Sequence, residues 1–117
     1  MRILLVLAAL NGLLAVAIGA FGAHAIADPQ AKEWIRTGTI YGLGHAGAAY
    51  AVVGRSRGAA WAMSLGALLF AGSMYLIALT GQRWLGMTAP IGGLIMIAGW
   101  ARLAWVALRP SQGAETA

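Results

Sequence analysis

The sequence contains no cysteine and very little charge, and these two absences exclude many classes of protein. Without cysteine, the chain forms no disulfide, has no thiolate nucleophile and offers no thiolate ligand to an iron–sulfur cluster. Only 9% of the 117 residues are charged, whereas soluble domains carry roughly a quarter. The mean hydropathy is +0.78. A chain this apolar has too little polar surface for water, so we expect it to lie in a membrane.

The few charges lie at the ends of four long uncharged stretches or between them. These stretches cover residues 3–27, 37–54, 58–82 and 84–101, and each is close to or longer than the roughly 18–20 apolar residues that cross a bilayer. We therefore predict an all-α integral membrane protein with one domain, a bundle of four transmembrane helices. The predicted helices are residues 3–27, 37–54, 59–80 and 90–108, followed by a disordered tail at 111–117.

The N-terminal stretch also has features of a secretory signal peptide. Arg2 precedes the apolar run, and Ala23-His24-Ala25 has the pattern of a cleavage site. The apolar run is, however, about twice as long as that of a signal peptide. Asp28-Pro29 then follows as a start signal for the next helix. We therefore expect a retained first transmembrane helix.

Four crossings would place both termini on the same side of the membrane. That side would hold five arginines and the other side three basic residues, namely Arg2, Arg55, Arg57, Arg102 and Arg109 against Lys32, Arg36 and Arg83. Positive charge favours the cytoplasmic side, so we predict a multi-pass inner-membrane protein with both termini in the cytoplasm. Because the basic residues are dispersed between apolar spans, the net charge of +5 does not indicate nucleic acid as a partner.

Small residues recur at helical spacing and predict where helices pack together. In helix one, Ala15, Gly19 and Ala23 share a face with Asn11, which needs a hydrogen-bond partner inside the bundle. Gly38 and Gly42 form a G-x-x-x-G pair in helix two. The full set of predicted packing residues is Asn11, Gly19, Gly22, His24, Gly38, Tyr41, Gly42, His45, Gly72, Ser73, Tyr75, Pro90, Gly92 and Gly93.

Four ordered motifs resemble those of a known family. They are Gly19-Ala-Phe-Gly-Ala-His24-Ala, Tyr41-x-x-x-His45, Gly72-Ser-Met-Tyr75-Leu, and Thr88-Ala-Pro-Ile-Gly-Gly93 with Gly99-Trp100. In this order they are similar to the YgdD/YwdK-like proteins, small bacterial inner-membrane proteins with a small transmembrane relative in animals. The resemblance covers residues 11–100 and implies four helices, no established enzymatic activity and a loose link to membrane integrity. The family commonly has a polar residue where this chain has Gly42, so chemistry at that position is not expected.

Two histidines are the only groups within the predicted spans that titrate near neutral pH or commonly bind metal, His24 and His45. A pair of histidines on neighbouring helices could bind a haem or a metal. Two ligands without a carboxylate or cysteine make a poor metal site, however. We therefore favour neutral histidines that hydrogen-bond hydroxyl groups such as those of Tyr41, Ser73 or Tyr75, and we expect no metal and no cofactor.

The predicted function is structural or accessory rather than enzymatic. No Asp or Glu lies inside a predicted span, and there is no obvious inverted repeat of the transporter kind. The protein would pack with itself, with lipids or with a larger membrane complex. The alternative is a small-molecule binder that holds a lipid, a quinone or a haem near His24, His45 and Tyr75. The two hypotheses differ because only the binder requires a cavity at the histidines.

Overall fold

A computed structural model describes residues 1–109, which form four long α-helices joined by short turns. The helices are α1 (Arg2–Ala25), α2 (Pro29–Val52), α3 (Arg57–Thr80) and α4 (Ala89–Leu108), with a short 3₁₀ helix (Arg83–Met87) before α4. These residues contain no strand, so the all-helical prediction is confirmed. The predicted tail, residues 111–117, lies outside the described residues.

The ends of α2 and α3 follow from capping residues in the sequence. The Asp28 carboxylate accepts a hydrogen bond from the Ala31 backbone N–H at 2.8 Å, and Pro29 is the first residue of α2. The Ser56 hydroxyl accepts from the Ala59 N–H at 3.1 Å in the same way. At the far end of α3, Gly81 has a φ of 72° and so terminates the helix in a conformation that favours glycine.

The second helix begins eight residues earlier than its predicted start at residue 37. Residues 30–36, which carry Lys32, Glu33 and Arg36, lie outside the predicted span. In the structure they continue without a break into the rest of α2. The physical reason is the Asp28-Pro29 cap, which starts the helix before the charged residues rather than after them.

The helices form an antiparallel bundle in which α3 has the central position. It packs along both α2 and α4 and also contacts α1, while α1 packs mainly along α2. At one end of the bundle, Leu4, Val53 and Ala60 form a buried cluster. At the other end, Ile35 and Tyr75 pack together with Ala71 between α2 and α3. The start of α1 therefore lies beside the turn that joins α2 to α3.

The closest contact between α3 and α4 is made by backbone atoms at two glycines. A Cβ atom built on Gly92 would lie 2.6 Å from the Phe70 backbone nitrogen and 2.7 Å from the Gly66 carbonyl oxygen. A Cβ built on Gly66 would lie 2.9 Å from the Gly92 carbonyl oxygen. Such distances leave no room for a side chain. This approach is typical of helices that associate in lipid, where small residues let the backbones come close.

The contact between α1 and α2 also depends on glycine. A Cβ on Gly19 would lie 2.8 Å from the Thr39 methyl carbon, and one on Gly22 would lie 2.6 Å from the Ile35 side chain. Here the glycines face side chains instead of backbone. Each glycine therefore acts as a recess for a β-branched side chain on α2.

Three segments of the described chain are long and apolar enough to cross a membrane: Arg2–Ala25, Arg57–Thr80 and Arg83–Leu108. Of the long helices, only α2 is missing from this set. Its first two turns carry Lys32, Glu33 and Arg36. In the rest of the helix, glycines and polar residues such as His45 lower the mean hydropathy. By composition alone, α2 is therefore less apolar than its neighbours.

We predict that Gly92→Ala destabilises the bundle whereas Gly93→Ala does not. The added methyl group at position 92 meets the backbone of α3, which cannot move aside, and such overpacking costs about 1–3 kcal/mol. At position 93 no atom lies within 4 Å of the new Cβ, and alanine is the better helix former by about 1 kcal/mol. Thermal unfolding of both variants in the same detergent measures the difference. Equal stability of the two variants would contradict the close α3–α4 contact.

Candidate functional site

Polar side chains within the bundle bond to groups on neighbouring elements. The Asn11 amide on α1 donates to the Ser64 carbonyl oxygen on α3 at 3.1 Å, and both residues are buried. The Thr39 and Tyr75 hydroxyl groups lie 3.1 Å apart and connect α2 to α3. The two bonds thus join α3 to both α1 and α2. Within residues 1–109, the buried Ser64 hydroxyl is the one buried side-chain polar group without a partner.

Ser73 forms a further polar contact near the start of α4. Its hydroxyl donates to the Leu69 carbonyl oxygen at 2.6 Å, in its own helix, and also contacts the hydroxyl of Thr88. The Thr88 hydroxyl in turn donates to the Leu85 carbonyl oxygen at 2.7 Å in the 3₁₀ helix. These contacts connect α3 to the turn that precedes α4.

His45 connects α2 to α4 through both of its ring nitrogens. Nδ1 lies 2.8 Å from the Tyr41 carbonyl oxygen, and Nε2 accepts a hydrogen bond from the Trp100 indole N–H at 2.9 Å. A carbonyl only accepts and an indole N–H only donates. The two bonds therefore select the neutral imidazole with its proton on Nδ1. In this state the Nε2 lone pair accepts the indole bond, so a metal at Nε2 would have to replace Trp100.

A groove of about 510 Å³ lies between α2 and α4, and we call it the α2–α4 groove. Its volume is within the range of roughly 300–1,000 Å³ that is common for small-molecule sites. Aromatic rings form much of its wall, with Tyr41 edge-on to Phe70 at 5.1 Å and His45 edge-on to Trp100 at 5.9 Å between ring centroids. The lining residues are Thr37, Tyr41, His45, Phe70, Gly93, Met96, Ile97 and Trp100.

The lining of the α2–α4 groove determines what it could hold. No lining residue is an acid, a lysine or an arginine. The ring nitrogens of His45 are already bonded. A suitable ligand is therefore uncharged, largely apolar and flat enough to lie against aromatic rings.

The structure does not bring His24, His45 and Tyr75 together. Gly22 of α1 faces Ile35 of α2, and the two helices are antiparallel, so His24 lies level with residues 33–34. His45 is then roughly 17 Å further along the axis, at 1.5 Å per residue. Tyr75 bonds Thr39 and is absent from the α2–α4 groove. A single ligand held by all three residues does not fit this arrangement.

No group of three or more histidine, cysteine, aspartate or glutamate residues is close enough to hold a metal ion within residues 1–109. His24 itself is exposed in the last turn of α1. His24 therefore does not lie at a helix contact, although the sequence pattern predicts it to be a packing residue.

Two of the predicted packing glycines do not pack against a neighbouring helix. Nothing lies within 4 Å of a Cβ built on Gly72 or Gly93, which corrects the expectation for both. Each instead borders a depression: Gly72 a small cleft beside Asn11, and Gly93 the α2–α4 groove. Spacing along the sequence does not fix how a helix is rotated about its axis, and here the rotation turns these positions away from their neighbours.

The other predicted packing residues occupy more varied positions. Gly38 faces Tyr75 at 3.0 Å and Gly42 faces Ala71 at 3.3 Å from a built Cβ, so both lie in the α2–α3 contact. Pro90 is exposed at the second position of α4, where it starts the helix instead of packing. Tyr41 is exposed on the α2–α4 groove.

Sequence reasoning missed two kinds of residue. Gly66 and Gly99 make close contacts, with a Cβ on Gly99 only 3.0 Å from the Met63 side chain. Trp100 was not identified as the partner of His45. A tryptophan well inside an apolar span was the available signal, because its indole N–H usually finds a hydrogen-bond acceptor.

The antiparallel helices with apolar outer faces are those of a small helical membrane protein. Comparison with known families agrees: residues 18–93 match the family described as "Protein of unknown function (DUF423)". The chain belongs to this family, which confirms the resemblance found in the sequence. No solved structure matches the chain.

The relatives cover nearly the whole chain. A "UPF0382 membrane protein" of Staphylococcus epidermidis is 36% identical over 120 residues, which span 93% of this chain and 98% of the relative. The "UPF0382 membrane protein YwdK" of Bacillus subtilis is 34% identical, with the same shares of both chains. The "UPF0382 inner membrane protein YgdD" of Escherichia coli K12 is 36% identical over 92% of this chain and 91% of its own length. This chain is thus a membrane protein of the same family.

We predict that His45 and Trp100 are energetically coupled. Interhelical hydrogen bonds in membrane proteins are worth about 0.6 kcal/mol on average and seldom exceed 2. His45→Leu, Trp100→Phe and the double variant form a cycle whose coupling free energy should be of this size. Trp105→Phe is a matched control, since Trp105 is exposed on the same helix. Unfolding in detergent measures the cycle, and a coupling of zero would contradict the α2–α4 bond.

Proposed function

We propose that this protein is a non-enzymatic four-helix component of the bacterial inner membrane with a structural or accessory role. The observation that carries this proposal is the use of polar side chains to join neighbouring helices. Asn11, Thr39 and His45 each bond a group on another helix. Side chains committed in this way hold helices together and are not available to activate a substrate.

The arrangement of α2 supports four crossings. This helix has 24 residues, which corresponds to about 36 Å at 1.5 Å per residue and exceeds the thickness of the apolar layer, about 30 Å. It lies alongside both α1 and α3. Those two neighbours are candidate membrane spans, so α2 would cross with them. Close packing between spans compensates for its lower hydropathy, because less of its surface meets lipid.

The distribution of basic residues supports an orientation with both termini inside. The Leu4–Val53 contact brings Arg2 to the same end as Arg55 and Arg57. Leu103 packs at this end of α4 as well, beside a cluster that includes Ala8. This end therefore collects most of the arginines, and the positive-inside rule assigns it to the cytoplasm.

We expect a reporter that is active only in the periplasm to remain silent when it is fused after Ala117. The same reporter inserted after Gln82, in the turn before the 3₁₀ helix, should be active because that turn lies at the opposite end of the bundle. The paired measurement controls for expression. Activity at Ala117 would contradict four crossings with the termini in the cytoplasm.

An accessory role requires a contact with another protein, or with another copy of this chain, through the outer face of the bundle. On α4, Leu94 and Ile97 are exposed, at 67% and 64%. A photo-reactive amino acid at Leu94, with one at Leu13 on α1 as a control, should give a discrete protein adduct in intact membranes. Lipid adducts alone from every exposed helix would contradict a protein-bound role.

The second candidate function is the binding of a small uncharged ligand, and the α2–α4 groove specifically favours it. Such a ligand would contact Tyr41, Phe70 and Trp100 and would leave the His45 bonds intact.

The purified protein should then retain a stoichiometric organic molecule that is lost in Phe70→Ala. Haem or metal coordination by His45 predicts a different result: a Soret band or bound metal that disappears in His45→Gln.

A further inference from the structure

A second groove of about 350 Å³ follows the seam between α1 and α2, and we call it the α1–α2 groove. It shares no lining residue with the α2–α4 groove. Small residues such as Gly19, Ala20 and Ala23 form its α1 wall, and the α2 wall carries Lys32 and Arg36. The groove therefore combines an apolar wall with two cations.

The apolar wall results from the same glycines that bring α1 and α2 together. Gly19 and Gly22 receive the side chains of Thr39 and Ile35, so the two helices lie close along this seam. Ala20 beside them is exposed. Apart from Val16, the α1 side chains that line the groove are small, so a shallow channel is left open along the outside of the contact, and it can receive a flexible hydrocarbon chain.

The two cations lie towards one end of this channel. Lys32 and Arg36 are one helical turn apart near the start of α2, and both are exposed. The lining continues along α2 to Ile40, which is about 12 Å from Lys32 at 1.5 Å per residue. Charge therefore marks the end nearest the helix termini, and the apolar part points towards the middle of the bundle.

The nearby carboxylates do not line the groove. Asp28 and Glu33 are the acidic residues of this part of the chain, and neither contributes to its surface. The Asp28 carboxylate is bonded to the Ala31 N–H as the cap of α2. The cations thus face the groove without an acidic residue in its wall, and the site is complementary to a negatively charged group.

We propose that the α1–α2 groove binds an anionic phospholipid, with its phosphate at Lys32 and Arg36 and one acyl chain along the α1 wall. Arginine pairs with phosphate through two parallel hydrogen bonds, and lysine adds a compact positive charge. A free phosphate would satisfy the cations but would make no use of the apolar channel. The inference goes beyond the proposed accessory role and requires only that the protein lies in a membrane.

Native mass spectrometry of the full chain in detergent tests this site, with phosphatidylglycerol and phosphatidylcholine of identical acyl chains as probes. The wild type should retain phosphatidylglycerol in preference to phosphatidylcholine. Arg36→Gln should weaken phosphatidylglycerol retention about fivefold, the effect expected of one basic residue near the membrane surface. Arg83→Gln, outside the groove, removes the same charge and should leave retention unchanged.

A steric variant tests the acyl-chain part of the site. Ala20→Leu fills the channel from an exposed position, so the bundle should remain folded while phosphatidylglycerol retention falls. Ala17→Leu is the matched control, because Ala17 is exposed on the same helix and does not line the groove. Unchanged thermal unfolding in both variants verifies that any loss of lipid is local.

Several results would overturn the proposal. Equal retention of the two lipids by the wild type would show that the cations select no headgroup. Equal losses in Arg36→Gln and Arg83→Gln would indicate a general effect of net charge. Competition by glycerol phosphate together with full retention in Ala20→Leu would indicate an anion site without a bound chain. None of these results depends on the protein adducts that test the accessory role.

Discussion

The rest of the structure depends on the close approach of helices at a few glycines. In lipid, helices gain little from burying apolar side chains against each other, because the surrounding chains are equally apolar. Association must come from dense packing and from hydrogen bonds between helices. Gly66 and Gly92 provide the packing between α3 and α4, where backbone meets backbone. Without that approach, α4 would lose its main contact with the bundle, since it packs chiefly on α3.

Hydrogen bonds between helices complete this packing. Asn11 reaches the backbone of α3, Thr39 meets Tyr75, and His45 meets Trp100 across α2 and α4. Each bond is weak in free energy, but each has strict geometry, and together they fix how far one helix can slide or rotate against the next. A polar group left unpaired in lipid is costly, so the same bonds disfavour alternative arrangements.

Much of the fold could be predicted from the sequence, because its causes are local. The uncharged runs predicted the positions of the four helices. Asp28-Pro29 predicted where α2 starts, and the structure contains the corresponding cap, in which the Asp28 carboxylate accepts from the Ala31 N–H. The predicted span began at residue 37 because it was bounded by charge, whereas the helix itself extends back through the charged residues to Pro29. Charge indicates where a helix meets water or headgroups, but it does not end the helix.

The candidate site was less predictable, because its causes are not local. His45 and Trp100 are 55 positions apart, and no spacing rule connects them. Gly72 and Gly93 belong to convincing small-residue patterns and yet face open space, since the rotation of each helix is set by all its neighbours together. Both grooves likewise arise between helices. Their linings appear only once the helices are placed side by side.

The central claim is that Asn11, Thr39 and His45 are committed to hydrogen bonds between helices. Nitrogen NMR of the protein in lipid nanodiscs, with labelled histidine and tryptophan, measures this most directly at His45. The structure predicts a protonated Nδ1, an unprotonated Nε2 and a scalar coupling from that nitrogen across the hydrogen bond to the Trp100 indole nitrogen. A proton or a metal on Nε2, with no coupling to Trp100, would contradict it.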